Sequence, residues 1–254
     1  MYPYIEVFNA KIPTYTLCAG LGLIVSITLV CCFLMQKQML TKYISVVFWS
    51  LLGLFIGAKL FGVASRVLND LYNGGSFDLL ECLDSGIVYY GGLIGFIITI
   101  KLLCVKKKLR FDELSGIVAF CIPLFHFFGR LGCFLGGCCY GKVSTGLLSI
   151  PYRIGFDGCW QSRYPTQLFE AGFELVVFGV IVYCYIKNKY DKNKLLDAYL
   201  LSYATFRFVN EFFRGDELRG VFGFISFSQV ISILVVIYIC LKYYSKGKVK
   251  NEKS

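Results

Sequence analysis

Charge is scarce in this chain. Of its 254 residues only 17% are charged and 57% are apolar, with a mean hydropathy of +0.65; a soluble domain carries about 25% charged residues. That shortage excludes a soluble α/β enzyme and a disordered protein. The apolar runs are continuous rather than alternating, which argues against a porin-type barrel. Histidine is nearly absent, His126 being the only one. Internal repeats, low-complexity segments and a linker to a second domain are also lacking, so a single transmembrane domain over 1–254 is expected. A removable signal peptide is not expected, because a polar, aromatic N-terminus leads into a run long enough to span.

What the chain has is apolar length. Runs at 14–35, 43–64, 87–105, 114–133, 168–186, 195–213 and 222–244 each approach the roughly 20 residues that cross a bilayer. The expected class is all-α: a polytopic membrane protein of about seven transmembrane helices. The net charge of +10 sits in short segments between the runs, so it reads as topology signal and anionic-lipid contact, with no nucleic-acid partner. Lys37 and Lys42, Lys106 to Lys108 with Arg110, Lys187 to Lys194, and Lys242 to Lys253 gather on one side. The opposite loops are less basic and hold Asp70, Asp78, Glu81 and Asp84. The positive-inside bias then places the N-terminus outside and the C-terminus in the cytoplasm. The long polar segments 65–86, 129–166 and 211–221 fall on the outer side and are expected to form the site region.

Charges inside spans are costly and mark functional positions by default. Lys59, Lys101, Arg130, Glu170, Glu174, Arg207 and Glu211 are such charges; Lys101 lies near a span end and can snorkel. Tyr203, Arg207 and Glu211 recur at i, i+4 and i+8, with Arg214 three further on, so they share one helix face. An internal ion pair that merely ties helices together is the plainer alternative. The fourth run ends Gly129-Arg130-Leu131-Gly132-Cys133-Phe134-Leu135-Gly136-Gly137-Cys138-Cys139-Tyr140-Gly141, a glycine-rich stretch where backbone approaches closely or turns left-handed. Tyr89-Tyr90-Gly91-Gly92-Leu93-Ile94-Gly95 opens the third run from the same side. Arg163-Tyr164-Pro165-Thr166-Gln167 precedes the fifth, with Pro165 expected in the first turn and Gln167 and Glu170 pointing one way. Arg130, Arg163, Arg207 and Arg214 thus gather at headgroup depth, which suits an anionic phospholipid headgroup.

Two further residue sets stay open. A lone histidine in an apolar helix is more often structural, yet His126 lies one turn from Arg130 and is a candidate base. Of the twelve cysteines, Cys18, Cys31, Cys32, Cys104, Cys121, Cys184 and Cys240 lie in apolar runs as small hydrophobes. Cys82, Cys133, Cys138, Cys139 and Cys159 lie in or beside polar stretches. Cys133, Cys138 and Cys139 could form a disulfide, bind a metal or supply a thiolate. Cys-x4-Cys-Cys is a weak metal pattern, so a structural role, including Cys82 or Cys159, is preferred, and neither metal nor cofactor is expected.

At these motifs the chain resembles the prolipoprotein diacylglyceryl transferase family. The matching pieces are Tyr90-Gly91-Gly92-Leu93-Ile94-Gly95, Gly129-Arg130-Leu131-Gly132, Arg163 through Glu170, Arg207-Phe208-Val209-Asn210-Glu211-Phe212-Phe213-Arg214, and Gly57-Ala58-Lys59-Leu60. The resemblance implies transfer of the sn-1,2-diacylglyceryl group from phosphatidylglycerol to the lipobox cysteine of a prolipoprotein, in the bacterial cytoplasmic membrane, by a monomer. It maps catalytic roles onto Arg130, Arg207, Glu211, Tyr203 and Tyr90. Substrate binding falls to Arg130, Arg163, Gln167, Glu170, Arg214, Gly91 and Gly92. Arg130 would bind the headgroup, Arg207 the phosphate, Glu211 would orient Arg207, and Tyr203 would donate a hydrogen bond. Four positions depart from the family pattern: Tyr90 replaces its histidine, Cys133 and Gly136 its asparagines, and Cys138 its glutamate. With a reference pKa near 10, a tyrosine is a poor base. A paralogue with another acceptor and a non-catalytic phospholipid-binding protein are the alternatives.

Overall fold

The computed structural model describes residues 2–7, 10–72, 86–153, 158–188, 190–215, 221–222 and 224–251. Asp78, Glu81, Cys82, Asp84, Lys189, Arg219 and Lys253 lie outside the described residues. Among the described residues the order is β1 (Tyr4–Val7), β2 (Ala10–Pro13), α1 (Thr14–Gln36), α2 (Leu40–Tyr72), α3 (Tyr89–Lys106) and α4 (Phe111–Gly136). Then follow β3 (Ile150–Arg153), β4 (Trp160–Arg163), α5 (Thr166–Ile186), α6 (Lys192–Asn210), a 3-10 turn (Glu211–Phe213), β5 (Val221–Phe222), β6 (Ile225–Ser226) and α7 (Phe227–Asn251). The strands make only three small antiparallel hairpins, β1-β2, β3-β4 and β5-β6.

Each expected run therefore has its helix, and among the described residues six of the seven helices are long and apolar enough to cross a membrane. The exception is α6, whose interior carries Asp197 and Arg207; its polar stripe lowers its hydropathy. Several boundaries differ from the sequence reading: the run at 222–244 becomes a helix only from Phe227, after β5 and β6, and the run at 195–213 ends as a helix at Asn210. α2 continues eight residues past Ala64, where Arg66 and Asp70 pair across one turn at 2.9 Å. Pro165 sits one position ahead of α5, and its carbonyl accepts from the Leu168 and Phe169 amides at 2.9 and 3.1 Å.

The chain divides into two compact units, 1–32 with 115–216 and 33–114 with 217–254. In the first, the hairpin before α1 is anchored by the Tyr2 amide on the Leu135 carbonyl at 3.0 Å, and Thr14 Oγ1 donates to the Tyr2 carbonyl. Leu114 stands at the end of the other unit, and from Ser115 to Leu124 every α4 side chain is buried. That is the pattern of a helix surrounded by protein rather than by lipid.

The second unit is built on the α2–α3 contact. A Cβ added at Gly57 would lie 2.3 Å from the Gly91 carbonyl oxygen, and one at Gly95 would lie 2.3 Å from that of Gly53. Only glycine lets two backbones approach this closely, the usual device of helix pairs in lipid. The Val88 amide donates to the Ala58 carbonyl at 3.0 Å, and the Phe61 and Phe227 rings meet at 6.1 Å. At the start of α2, the Tyr43 hydroxyl donates to Glu113 Oε2 at 2.7 Å.

Candidate active site

The polar residues of α4, α5 and α6 converge on one carboxylate. Glu170, only 1% exposed, accepts at Oε1 from Arg130 Nη2 at 2.9 Å and from the Tyr203 hydroxyl at 3.0 Å. Its Oε2 faces Asn210 Nδ2 at 3.5 Å and Arg207 Nη1 at 4.0 Å. Arg207 pairs through Nη2 with Glu211 Oε2 at 2.7 Å, the i, i+4 partner one turn on. Tyr203, Arg207, Glu211 and Arg214 are all buried, so the stripe expected on one face does point inward.

Helix periodicity explains how so few residues build this centre. His126 and Arg130 stand one turn apart on α4, and Glu170 and Glu174 stand one turn apart on α5. The two pairs meet rung by rung. His126 Nδ1 lies 2.7 Å from Glu174 Oε1, while Arg130 Nε donates to His126 Nε2 at 3.1 Å. An arginine N–H can only donate, so Nε2 is the accepting nitrogen and the imidazole proton sits on Nδ1, directed at Glu174. His126 is thus neutral, with both nitrogens engaged. Its ring meets Tyr203 edge-on at 5.2 Å. Arg130 forks between His126 and Glu170, which fixes the guanidinium plane.

The segment after α4 is bonded to the start of α5 and the end of α6. The Gly141 amide donates to the Tyr164 carbonyl at 3.0 Å, the Lys142 amide to Phe213 at 2.8 Å, and the Gly215 amide to Tyr140 at 3.0 Å. These bonds stitch residues 140–142 between the start of α5 and the end of α6. Arg163 donates to the Gly141 carbonyl at 3.2 Å and to Gln161 Oε1 at 2.6 Å, and lies over the Tyr140 ring at 4.7 Å. Gln167 Nε2 donates to the Cys138 carbonyl at 2.6 Å and to the buried Tyr152 hydroxyl at 2.9 Å. Thr166 Oγ1 donates to the Cys139 carbonyl at 3.0 Å. Hydrogen bonds from the Cys133 and Cys138 thiols, and then the charges of Arg214 and Arg130, hold the Cys139 thiol well below its ordinary pKa.

One set of motif residues lies in the other unit. Tyr90, 2% exposed, has its hydroxyl 2.6 Å from Ser232 Oγ on α7. Gly91 packs against Gly57 and Phe61 of α2, Gly92 is buried beside Ala58, and Lys59 is half-buried. Arg130, Arg163, Gln167, Glu170, Tyr203, Arg207, Glu211 and Arg214 all belong to the first unit. The sequence reading marked Glu174 only as an in-span charge with no specific task and gave Asn210 no role. The matched i, i+4 spacing of His126–Arg130 and Glu170–Glu174 is the signal that would have exposed the first. Asn210 carries no such signal, since it joins only because α6 ends beside Glu170.

The family model described as prolipoprotein diacylglyceryl transferase matches residues 3–244. The chain belongs to the prolipoprotein diacylglyceryl transferase family. It is 31% identical over 254 aligned residues to the phosphatidylglycerol–prolipoprotein diacylglyceryl transferase of Campylobacter hominis, covering 91% of this chain and 86% of that protein. A protein of Clostridium perfringens named phosphatidylglycerol–prolipoprotein diacylglyceryl transferase 2 is 30% identical, with 98% and 96% covered. The Rickettsia bellii protein of the first name is 30% identical, with 81% and 79% covered. This chain is accordingly a multi-pass membrane transferase, and its family membership favours catalysis over the non-catalytic lipid-binding alternative.

Proposed function

We propose that the chain transfers the sn-1,2-diacylglyceryl group of phosphatidylglycerol to the lipobox cysteine thiol of a prolipoprotein. The observation that carries this reading is the pair of buried arginines, Arg130 and Arg207, held about a single carboxylate, Glu170. The thiol sulfur attacks the glyceryl carbon that bears the phosphate. A C–S bond forms as the C–O bond breaks, and the electron pair leaves on a phosphate oxygen. The products are a thioether and glycerol phosphate, and the thiol proton ends on the departing phosphate monoester or in water.

In that step the arginines stabilise charge growing on the leaving phosphate. The contacts of Arg130 among the described residues use Nε and Nη2, so Nη1 is the nitrogen assigned to a headgroup oxygen. Arg207, oriented by Glu211, takes the phosphate, and Tyr203 keeps Glu170 aligned. Arg163, Gln167 and Arg214 shape the segment after α4, and Tyr90, Gly91 and Gly92 occupy the position of the family's histidine motif. The enzyme works as a monomer in the bacterial cytoplasmic membrane, N-terminus outside and C-terminus in the cytoplasm.

The test is complementation of a strain depleted of its own diacylglyceryl transferase, with mass spectrometry of a reporter lipoprotein. A diacylglyceryl thioether is expected, and is expected to vanish in Arg130→Ala. A well-inserted protein that leaves the reporter unmodified would contradict the assignment for general prolipoproteins.

A further inference from the structure

We propose that Cys133, Cys138 and Cys139 form a three-thiolate site for a soft, thiophilic metal ion at the end of α4. Their sulfur atoms all lie within 4.8 Å of one another. Metal–sulfur bonds of about 2.3 Å put three ligating sulfurs roughly 3.8–4.0 Å apart, in tetrahedral or trigonal geometry. The trio therefore needs to contract by less than about 1 Å to close on an ion.

The backbone brings the three together. Gly137 leaves α4 with φ +79°; the Gly137 amide reaches the Phe134 carbonyl at 3.4 Å, and the Cys138 amide reaches the Cys133 carbonyl at 3.1 Å. That is a Schellman ending, in which the side chains at the positions of Cys133 and Cys138 meet, usually as a hydrophobic contact. Both residues are thiols here. Cys139 follows with φ +59°, a conformation uncommon for a residue with a side chain. It is held by the Thr166 bond to its own carbonyl and the Gln167 bond to that of Cys138. Two left-turning residues, Gly137 and Cys139 on either side of Cys138, thus bring the third sulfur within 4.8 Å of the first two.

Charge and access fit the same ligand. Three thiolates around a divalent ion carry one net negative charge, and Arg214 and Arg130 lie near enough to act electrostatically on Cys139. Cys133 is buried, Cys139 half-buried and Cys138 exposed, so the site has a wall and an entrance. Zn(II) would retain an open fourth position, whereas Cu(I) accepts three sulfurs. The bound ion would clip the turn whose carbonyls Thr166 and Gln167 hold.

The full chain, purified in detergent, reduced and treated with chelator under anaerobic conditions, is titrated with Co(II), then Zn(II), and separately with chelator-buffered Cu(I). One equivalent of Co(II) per chain is expected, with a sulfur-to-cobalt charge-transfer band, lost on addition of Zn(II). Tighter competition for Cu(I) with no cobalt band supports the same site with the monovalent ion. Cys138→Ser, at an exposed position, should weaken binding at least about tenfold, whereas Cys159→Ser should leave it unchanged. No stoichiometric binding of any of the three ions, or equal binding by the triple serine variant, would overturn the proposal. So would a disulfide among the three cysteines that is quantitative in the unreduced protein isolated without metal. None of these readouts depends on transferase activity.

Discussion

The two units hold their helices together by opposite means. In the first, α4, α5 and α6 meet through ionisable side chains: His126, Arg130, Glu170, Glu174, Arg207 and Glu211 are each less than 8% exposed. In the second, α2 and α3 meet through glycine, with backbone against backbone at Gly53, Gly57, Gly91 and Gly95. Small-residue packing is the economical way to join helices in lipid, where apolar surface gains nothing by burial. Buried charge is the expensive way, and is retained where it has work to do. The contrast sets charge-bound helices beside glycine-packed helices in one chain.

The largest effect is expected from Arg207→Ala. If the charged centre is the reaction centre, transfer should fall about 10²–10³-fold while the protein still inserts, as read by product mass and by yield in detergent. Glu170→Ala comes next. It strands two arginines without their shared carboxylate, and breaking a buried pair typically costs about 3–5 kcal/mol. Thermal unfolding in detergent should drop well below that of Glu170→Gln, which fills the same volume and keeps one oxygen to accept from Tyr203 or Asn210.

Gly57→Val tests the other unit. The added carbons meet the Gly91 carbonyl, so about 1–3 kcal/mol of stability should be lost, with turnover per folded molecule nearly unchanged. Tyr90→Phe removes the hydroxyl that contacts Ser232, about 1 kcal/mol by the usual worth of such a bond. A loss of turnover beyond tenfold without loss of stability would move Tyr90 from scaffold to chemistry. Smallest of all, Arg66→Ala should cost about 0.2–0.5 kcal/mol, the usual value of an i, i+4 ion pair, here half-buried.

Much of the fold was legible because lipid demands long apolar helices, and the seven runs stand out by length alone. The boundary of α2 was not, since Arg66, Asn69 and Asp70 look like a polar loop until their one-turn spacing is counted. Within the site, the inward face of α6 followed from the recurrence of Tyr203, Arg207 and Glu211. Glu170 as the shared acceptor did not, because which helices adjoin is set by tertiary packing rather than by any local pattern. His126 shows the same limit. The sequence left it between base and structural residue; its tautomer follows only from seeing Arg130 on one nitrogen and Glu174 beyond the other. The cysteine trio was visible as a spacing, but its convergence depends on two positive φ angles at Gly137 and Cys139 that spacing alone does not supply.

We assign the transfer to the Arg130–Glu170–Arg207 centre. The most direct measurement is mass spectrometry of a lipobox peptide incubated with the purified full chain in phosphatidylglycerol nanodiscs, beside Arg207→Ala. A diacylglyceryl thioether is expected on the peptide cysteine with the wild-type chain, and almost none with the variant. Equal product from both, or an unmodified peptide with a folded wild-type chain, would contradict that assignment.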